Sequence, residues 1–212
     1  VILCLEGPSA VGKTSTAHAL AERLGAAVVP EVNVLFVRPA PEPEGWYLGR
    51  QAERWAMARQ ALATHPLAVL DGDPFQPLWY NWSFGFQGCQ PLDALAAFYR
   101  PLIADEALGF PDAYVHLVIG EDELRRRKEA DATRSRRNFD GHLRLVDTQR
   151  LYFSAMVVLA PSLVQAVEAV TVAGNVRRIE MILDGTRRVR PDPLALFDGL
   201  VAWLESHQME RS

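Results

Sequence analysis

Gly7-Pro8-Ser9-Ala10-Val11-Gly12-Lys13-Thr14 matches the pattern G-x-x-x-x-G-K-[ST] without a gap. Ahead of it, Val1-Ile2-Leu3-Cys4-Leu5 reads as a strand buried on both faces, the kind found in the middle of a parallel sheet. Behind it, a helix is expected over 13–24, with Ala17, Leu20, Ala21 and Leu24 on one face and Gly25 as its stop. Strand, glycine-rich turn and helix are the context in which this pattern cradles phosphate. Gly7 and Gly12 permit a backbone that turns the N–H groups of Ser9, Ala10 and Val11 inward, and the helix N-terminus adds its dipole. Lys13 is placed to reach the β- and γ-phosphates of ATP or another nucleoside triphosphate, and Thr14 to ligate Mg²⁺. Ser15 supplies a further donor.

Working outward, short apolar runs over 26–30, 67–70 and 114–119 read as further strands. A fifth falls in either 169–173 or 179–183. Helices are expected over 46–63, near 92–107, over 141–168, and from Asp192-Pro193 onward, where Leu194, Phe197, Leu200, Val201 and Leu204 share a face. The aromatic segment 75–86 reads as loop and short helix. Strands alternating with helices imply an α/β fold, a doubly wound parallel five-stranded sheet flanked by helices, in one domain over 1–212. Ligands then bind at the carboxyl ends of the strands.

Three acids fall at those ends. Magnesium on Thr14 calls for a carboxylate from a neighbouring strand, and Asp71, directly after Leu67-Ala68-Val69-Leu70, is the first choice; Asp73 can share that role. Glu31 follows the second strand and is placed to take a proton from an attacking hydroxyl. Two clusters, Arg125-Arg126-Arg127-Lys128 and Arg134-Ser135-Arg136-Arg137, suggest a lid over about 124–139. Its arginines would close on the transferring phosphate, with Arg127, Arg134, Arg136 and Arg137 near the apex. Trp46, Arg50, Arg54, Phe75 and Trp79, with Tyr80 and Trp82, would line the pocket for the acceptor.

The net charge of −4 argues against a nucleic-acid polymer as partner. Lysine occurs only at 13 and 128, so Lys13 stands out in a chain that otherwise uses arginine. No apolar run is long enough to span a bilayer and no secretory signal is visible, although the chain opens abruptly within a strand pattern. Cys4 and Cys89 are too few for a disulfide framework, which fits a reducing cytoplasm.

Gly7 to Thr14, Glu31 and Asp71 at successive strand ends, and a lid leading into a helix with Tyr152 resemble the P-loop kinases of nucleosides and nucleotides. The thymidylate kinase and deoxynucleoside kinase group is the nearest. In deoxynucleoside kinases a Glu after the second strand is the base for the 5′-hydroxyl, and Glu31 matches that position. Those enzymes follow the third strand with Glu-Arg-Ser, and thymidylate kinases with Asp-Arg; here the residues are Asp71-Gly72-Asp73. The resemblance also implies that the loop after the last strand holds adenine, for which Asp184-Gly185-Thr186 is the candidate. The leading expectation is an ATP-dependent phosphotransferase acting on a hydroxyl of a nucleoside, or of an antibiotic of similar size. A nucleoside monophosphate kinase and a regulatory ATPase or nucleotide switch are the alternatives, and a homodimer is left open.

Overall fold

The computed structural model describes residues 1–130, 139–185 and 190–207. Five strands, β1 (Ile2–Glu6), β2 (Ala27–Val29), β3 (Ala68–Asp71), β4 (Ala113–Val118) and β5 (Val164–Glu168), form one parallel sheet in the order β2-β3-β1-β4-β5. The helices are α1 (Lys13–Leu24), α2 (Val32–Leu35), α3 (Trp46–Ala61), α4 (Gln76–Ser83), α5 (Leu92–Ala104), α6 (Glu121–Ala130), α7 (Phe139–Leu159), α8 (Val172–Gly185) and α9 (Pro193–Ser206).

β1 is buried at every position because both its faces are covered. Ile2 and Cys4 point into a large core beneath α3, α4, α5, α7 and α9, whereas Leu3 and Leu5 point into a smaller one beneath α1 and α8. The chain builds to one side of β1 through β2 and β3, then crosses to β4 and β5 on the other. The loop after β1 therefore sits at the switch point where the strand order reverses, the place where open α/β sheets bind ligands.

The first four strands lie within a residue or two of the expected positions, but the fifth does not. It is β5, at Val164–Glu168; 179–183 lies inside α8, and 169–173 runs through a loop into the start of that helix. The helix expected over 141–168 ends at Leu159, since Pro161 disfavours helical backbone in the residue before it. β5 is an edge strand in which Val164 and Val167 are buried while Ala166 and Glu168 are exposed. Leu163, Val164 and Val167 also suit a helical face, so the strand is masked in the sequence. At the other end of the chain, Asp192 accepts a hydrogen bond from the Ala195 N–H (2.7 Å) and caps α9, with Pro193 in its first turn.

Candidate active site

The loop 7–12 takes three left-handed backbone angles, at Gly7 (φ 142°), Ala10 (φ 76°) and Gly12 (φ 103°). Gly7 has no alternative: a Cβ there would lie 2.5 Å from the Leu117 carbonyl oxygen on β4. Ala10 holds a conformation that L-residues adopt at a cost, a strain typical of binding loops. At the loop's end the Lys13 ammonium donates to the carbonyl oxygens of Gly7 (2.8 Å) and Pro8 (3.4 Å), folding its side chain over the turn.

Parallel pairing sets Leu5 beside Asp71, so β3 ends at the same level as the loop. The Thr14 hydroxyl donates to Asp71 Oδ2 (2.7 Å), while Asp71 Oδ1 is buried without a hydrogen-bond partner. A hydroxyl and an orphaned carboxylate oxygen make a hard, all-oxygen pair suited to Mg²⁺. That ion commonly takes one or two protein ligands and completes its shell with water and substrate phosphate. Among the described residues no group of three or more His, Cys, Asp and Glu gathers to hold a metal without such help.

Asp73 does not join this pair, contrary to expectation. It is fully buried behind the loop, where its Oδ1 accepts hydrogen bonds from the Tyr114 hydroxyl (2.8 Å) and the Phe75 N–H (3.1 Å). Burial and the neighbouring Glu6 push its carboxyl up to about 7.

A cleft of about 780 Å³ runs from the phosphate loop past Glu31 and Asp71 to a mixed wall that includes Tyr47, Trp79, Tyr80 and Leu145. Glu31 starts α2 and is exposed to this cleft, with its side chain beside Gly72. The Tyr47 hydroxyl donates to Gln76 Oε1 (2.9 Å), and burial pushes its phenol up to about 12. Gly72 stands where the resembling kinases carry arginine. Its φ of 92° lies in the region that disfavours side chains, so an arginine there would strain the turn.

Several expected pocket residues lie elsewhere. Phe75 is wholly buried and stacks on Phe110 at 4.4 Å, a core role set by its place between Tyr99 and Phe197. Trp82 is buried too, its indole N–H donating to the His207 carbonyl (2.7 Å). Trp46 and Phe36 pack against the Arg50 guanidinium, which also pairs with Glu53; neither Trp46 nor Arg50 lines the cleft. Arg54 does line it, yet is only 1 % exposed. It donates to the carbonyls of Pro30 (2.7 Å), Asp71 (2.7 Å) and Gly72 (2.9 Å) and to Gln51 (2.6 Å). Arg54 thus ties the end of β2 to the end of β3 and aims Glu31 and Asp71 into one space.

Ser15 is exposed on the first turn of α1. Arg127 lies against the outer side of the loop, donating to the carbonyls of Val11 (3.1 Å), Ala169 (2.5 Å) and Val170 (2.8 Å) and to Glu123 (2.9 Å). Arg134, Arg136 and Arg137 lie outside the described residues, and so does Thr186. Because the last strand is β5, the loop that follows it is 169–171. Asp184 instead borders a depression with Val1 and Pro66 at the amino ends of the strands, opposite the phosphate loop.

Two residues of the site were not anticipated. Glu6, 2 % exposed, ends β1 and lines the cleft, as does Gln149 of α7, 3 % exposed, whose amide donates to Glu6 Oε2 (2.7 Å). The signal for Glu6 was present, since it is an acid directly after an apolar strand, as Asp71 is. Gln149 gave none.

No protein-family model and no curated protein sequence matches the chain. Solved structures do. Deoxyadenosine kinase from M. mycoides with bound dATP superposes with a TM-score of 0.61 at 13 % identity, covering 87 % of this chain and 100 % of that one. Thymidylate kinase from Candida albicans gives 0.58 at 13 % identity, over 86 % and 90 % of the two chains. The YorR protein from Bacillus subtilis, in complex with phosphorylated GDP, gives 0.58 at 12 % identity, over 87 % and 96 %. The chain shares the fold of these three proteins, two of them kinases by name, over 86–87 % of its length.

Proposed function

We propose that the chain is a kinase that transfers the γ-phosphoryl group of ATP, or of another nucleoside triphosphate, to a hydroxyl of a small molecule, with a nucleoside or nucleoside-like compound as acceptor. The observation that carries this reading is one continuous cleft in which a phosphate loop, the Thr14–Asp71 pair and Glu31 all meet. In the transfer, the Lys13 ammonium exchanges its loop carbonyls for phosphate oxygens. Thr14 and Asp71 would hold Mg²⁺, which neutralises charge on the β- and γ-phosphates. The acceptor oxygen bonds to the γ-phosphorus as the bond to the β-phosphate oxygen breaks, and the hydroxyl proton passes to the Glu31 carboxylate.

The cations of the cleft favour a hydroxyl over a phosphate acceptor. A monophosphate needs positive charge that is not already engaged. Among the described lining residues, Arg54 is held by backbone carbonyls and Arg38 pairs with Glu42. That leaves Lys13 for the donor nucleotide. A nucleoside-like acceptor is supported by the aromatic side chains of Tyr47, Trp79 and Tyr80 in the cleft wall and by the fold shared with a deoxyadenosine kinase. A nucleotide switch would have no use for this acceptor half.

The test is a panel of nucleosides, nucleoside monophosphates and antibiotics offered with γ-labelled ATP and Mg²⁺, with wild type and Glu31→Gln side by side. The expected result is label on a hydroxyl compound, with kcat lowered about 100-fold or more in the variant and ATP affinity nearly unchanged. Transfer to monophosphates alone, or an unimpaired variant, would overturn the hydroxyl reading.

A further inference from the structure

Glu6 is the hinge pin between two pieces of the site. Its Oε2 accepts the N–H of Gly7 (3.1 Å), the first residue of the phosphate loop. Its Oε1 accepts the N–H of Asp73 (2.6 Å), two residues beyond Asp71. One carboxylate therefore fixes how far the loop that leads into α1 and Thr14 stands from the strand end that carries Asp71. Both oxygens act only as acceptors, the pattern of an ionised carboxylate. Burial raises its pKa, opposed by the Lys13 charge and by the two backbone N–H groups.

A carboxylate with one donor on each oxygen can still rock about its own axis. The third donor removes that freedom, and it comes from far away in the chain. Gln149 sits midway along α7, and its amide donates to Glu6 Oε2 at 2.7 Å. On the same helix, Phe153 stacks on the His116 ring of β4 at 4.9 Å, and burial lowers the pKa of that ring to about 4.

We propose that Gln149 is a positioning residue for the metal–nucleotide site: through Glu6 it holds Thr14 and Asp71 at the separation that Mg²⁺ needs. The identity of the ligand rests on the kinase reading above. Gln149 touches neither Thr14 nor Asp71, so its removal should weaken the metal's contribution and leave the grip of the loop on phosphate intact. Groups that orient metal ligands commonly account for 10- to 100-fold in metal affinity.

The experiment measures binding of a non-hydrolysable ATP analogue by calorimetry, in EDTA and in Mg²⁺, with no acceptor present. Gln149→Met keeps length and volume without the donor. Gln149→Asn keeps the amide but is one methylene too short to reach Glu6, and serves if the methionine variant does not fold. The expected result is that the tightening produced by Mg²⁺ shrinks about 10-fold or more while affinity in EDTA stays within about twofold of wild type. An unchanged Mg²⁺ effect overturns the inference. So does a parallel loss in both buffers that tracks a fall in melting temperature, because that is what a purely structural glutamine would give. Wild type that binds the analogue with no Mg²⁺ dependence would overturn the kinase reading itself, and this inference with it.

Discussion

Arg54 and Asp73 are both buried beside the cleft, and neither does what its type suggests. The Arg54 charge is surrounded by oxygens of uncharged groups, three of them backbone carbonyls at strand ends. Truncating it would orphan those carbonyls, at about 1–3 kcal/mol for each one left without a donor. Asp73 carries a pH dependence. Its carboxyl rises from an ordinary 3.8 to about 7 on folding, so the folded chain binds that proton more tightly than the unfolded one. The stability this confers is complete below about pH 4 and is lost as the pH climbs to about 7. His116, lowered to about 4, works the other way and adds stability as the pH rises toward 6.5. Asp73→Asn isolates the first effect, because His116 is common to both proteins. The difference in melting temperature should move in the variant's favour, by several degrees, between pH 4 and pH 7. A difference that stays constant in a pH series of thermal melts would show that Asp73 is not protonated on folding.

At the scale of elements, α6 divides the arginine clusters. Arg125 pairs with Glu121, Arg126 with Glu123, and Arg127 with Glu123 and three backbone carbonyls, so the three arginines of the first cluster are engaged within the protein. Arg134, Arg136 and Arg137 follow α6 in sequence, where the neighbouring acids are Glu129, Asp131 and Asp140. If this second cluster closes on the transferring phosphate, replacing all three by alanine should lower kcat at least tenfold while changing ATP binding much less. Steady-state kinetics that match wild type would return them to the solvated surface. Local patterns made most of this level legible. The phosphate loop, the caps of α9 and the apolar runs of the first four strands are each written within a few residues. β5 was not, because an edge strand covered on one side alternates in a way that also fits a helix, and the two readings differ only in what packs against them. The acceptor wall was half legible for a similar reason. Aromatics near a strand end point to a pocket and a core equally well, and Trp79 and Phe75 fell on opposite sides of that choice.

Across the whole molecule, contacts that complete the site span more than 100 residues of chain. Gly7 fits only against Leu117, the Ile2 N–H donates to Asp112 (2.8 Å), and Glu6 takes its third donor from Gln149. No short window of sequence contains both ends of such a contact, which is why the Glu6–Gln149 pair was not legible. It also separates possession of the motif from competence to use it. Residues 7–14 are synthesised before β4 and α7, yet β1 must wait for β4 as its neighbour on one side and for α7 to seat Glu6. Non-local parallel pairing of this kind is slow to form. A nascent chain released after β4 would carry the whole phosphate-binding pattern without α7, β5 or the part of the large core formed by Tyr152, Phe153, Met156 and Phe197. Residues 1–119 made as a separate polypeptide should show no saturable binding of an ATP analogue, and binding at the affinity of the intact protein would disprove it. If the fragment fails to bind, nucleotide cannot template the folding of β1 and its loop, and it stabilises only chains in which α7 is already in place.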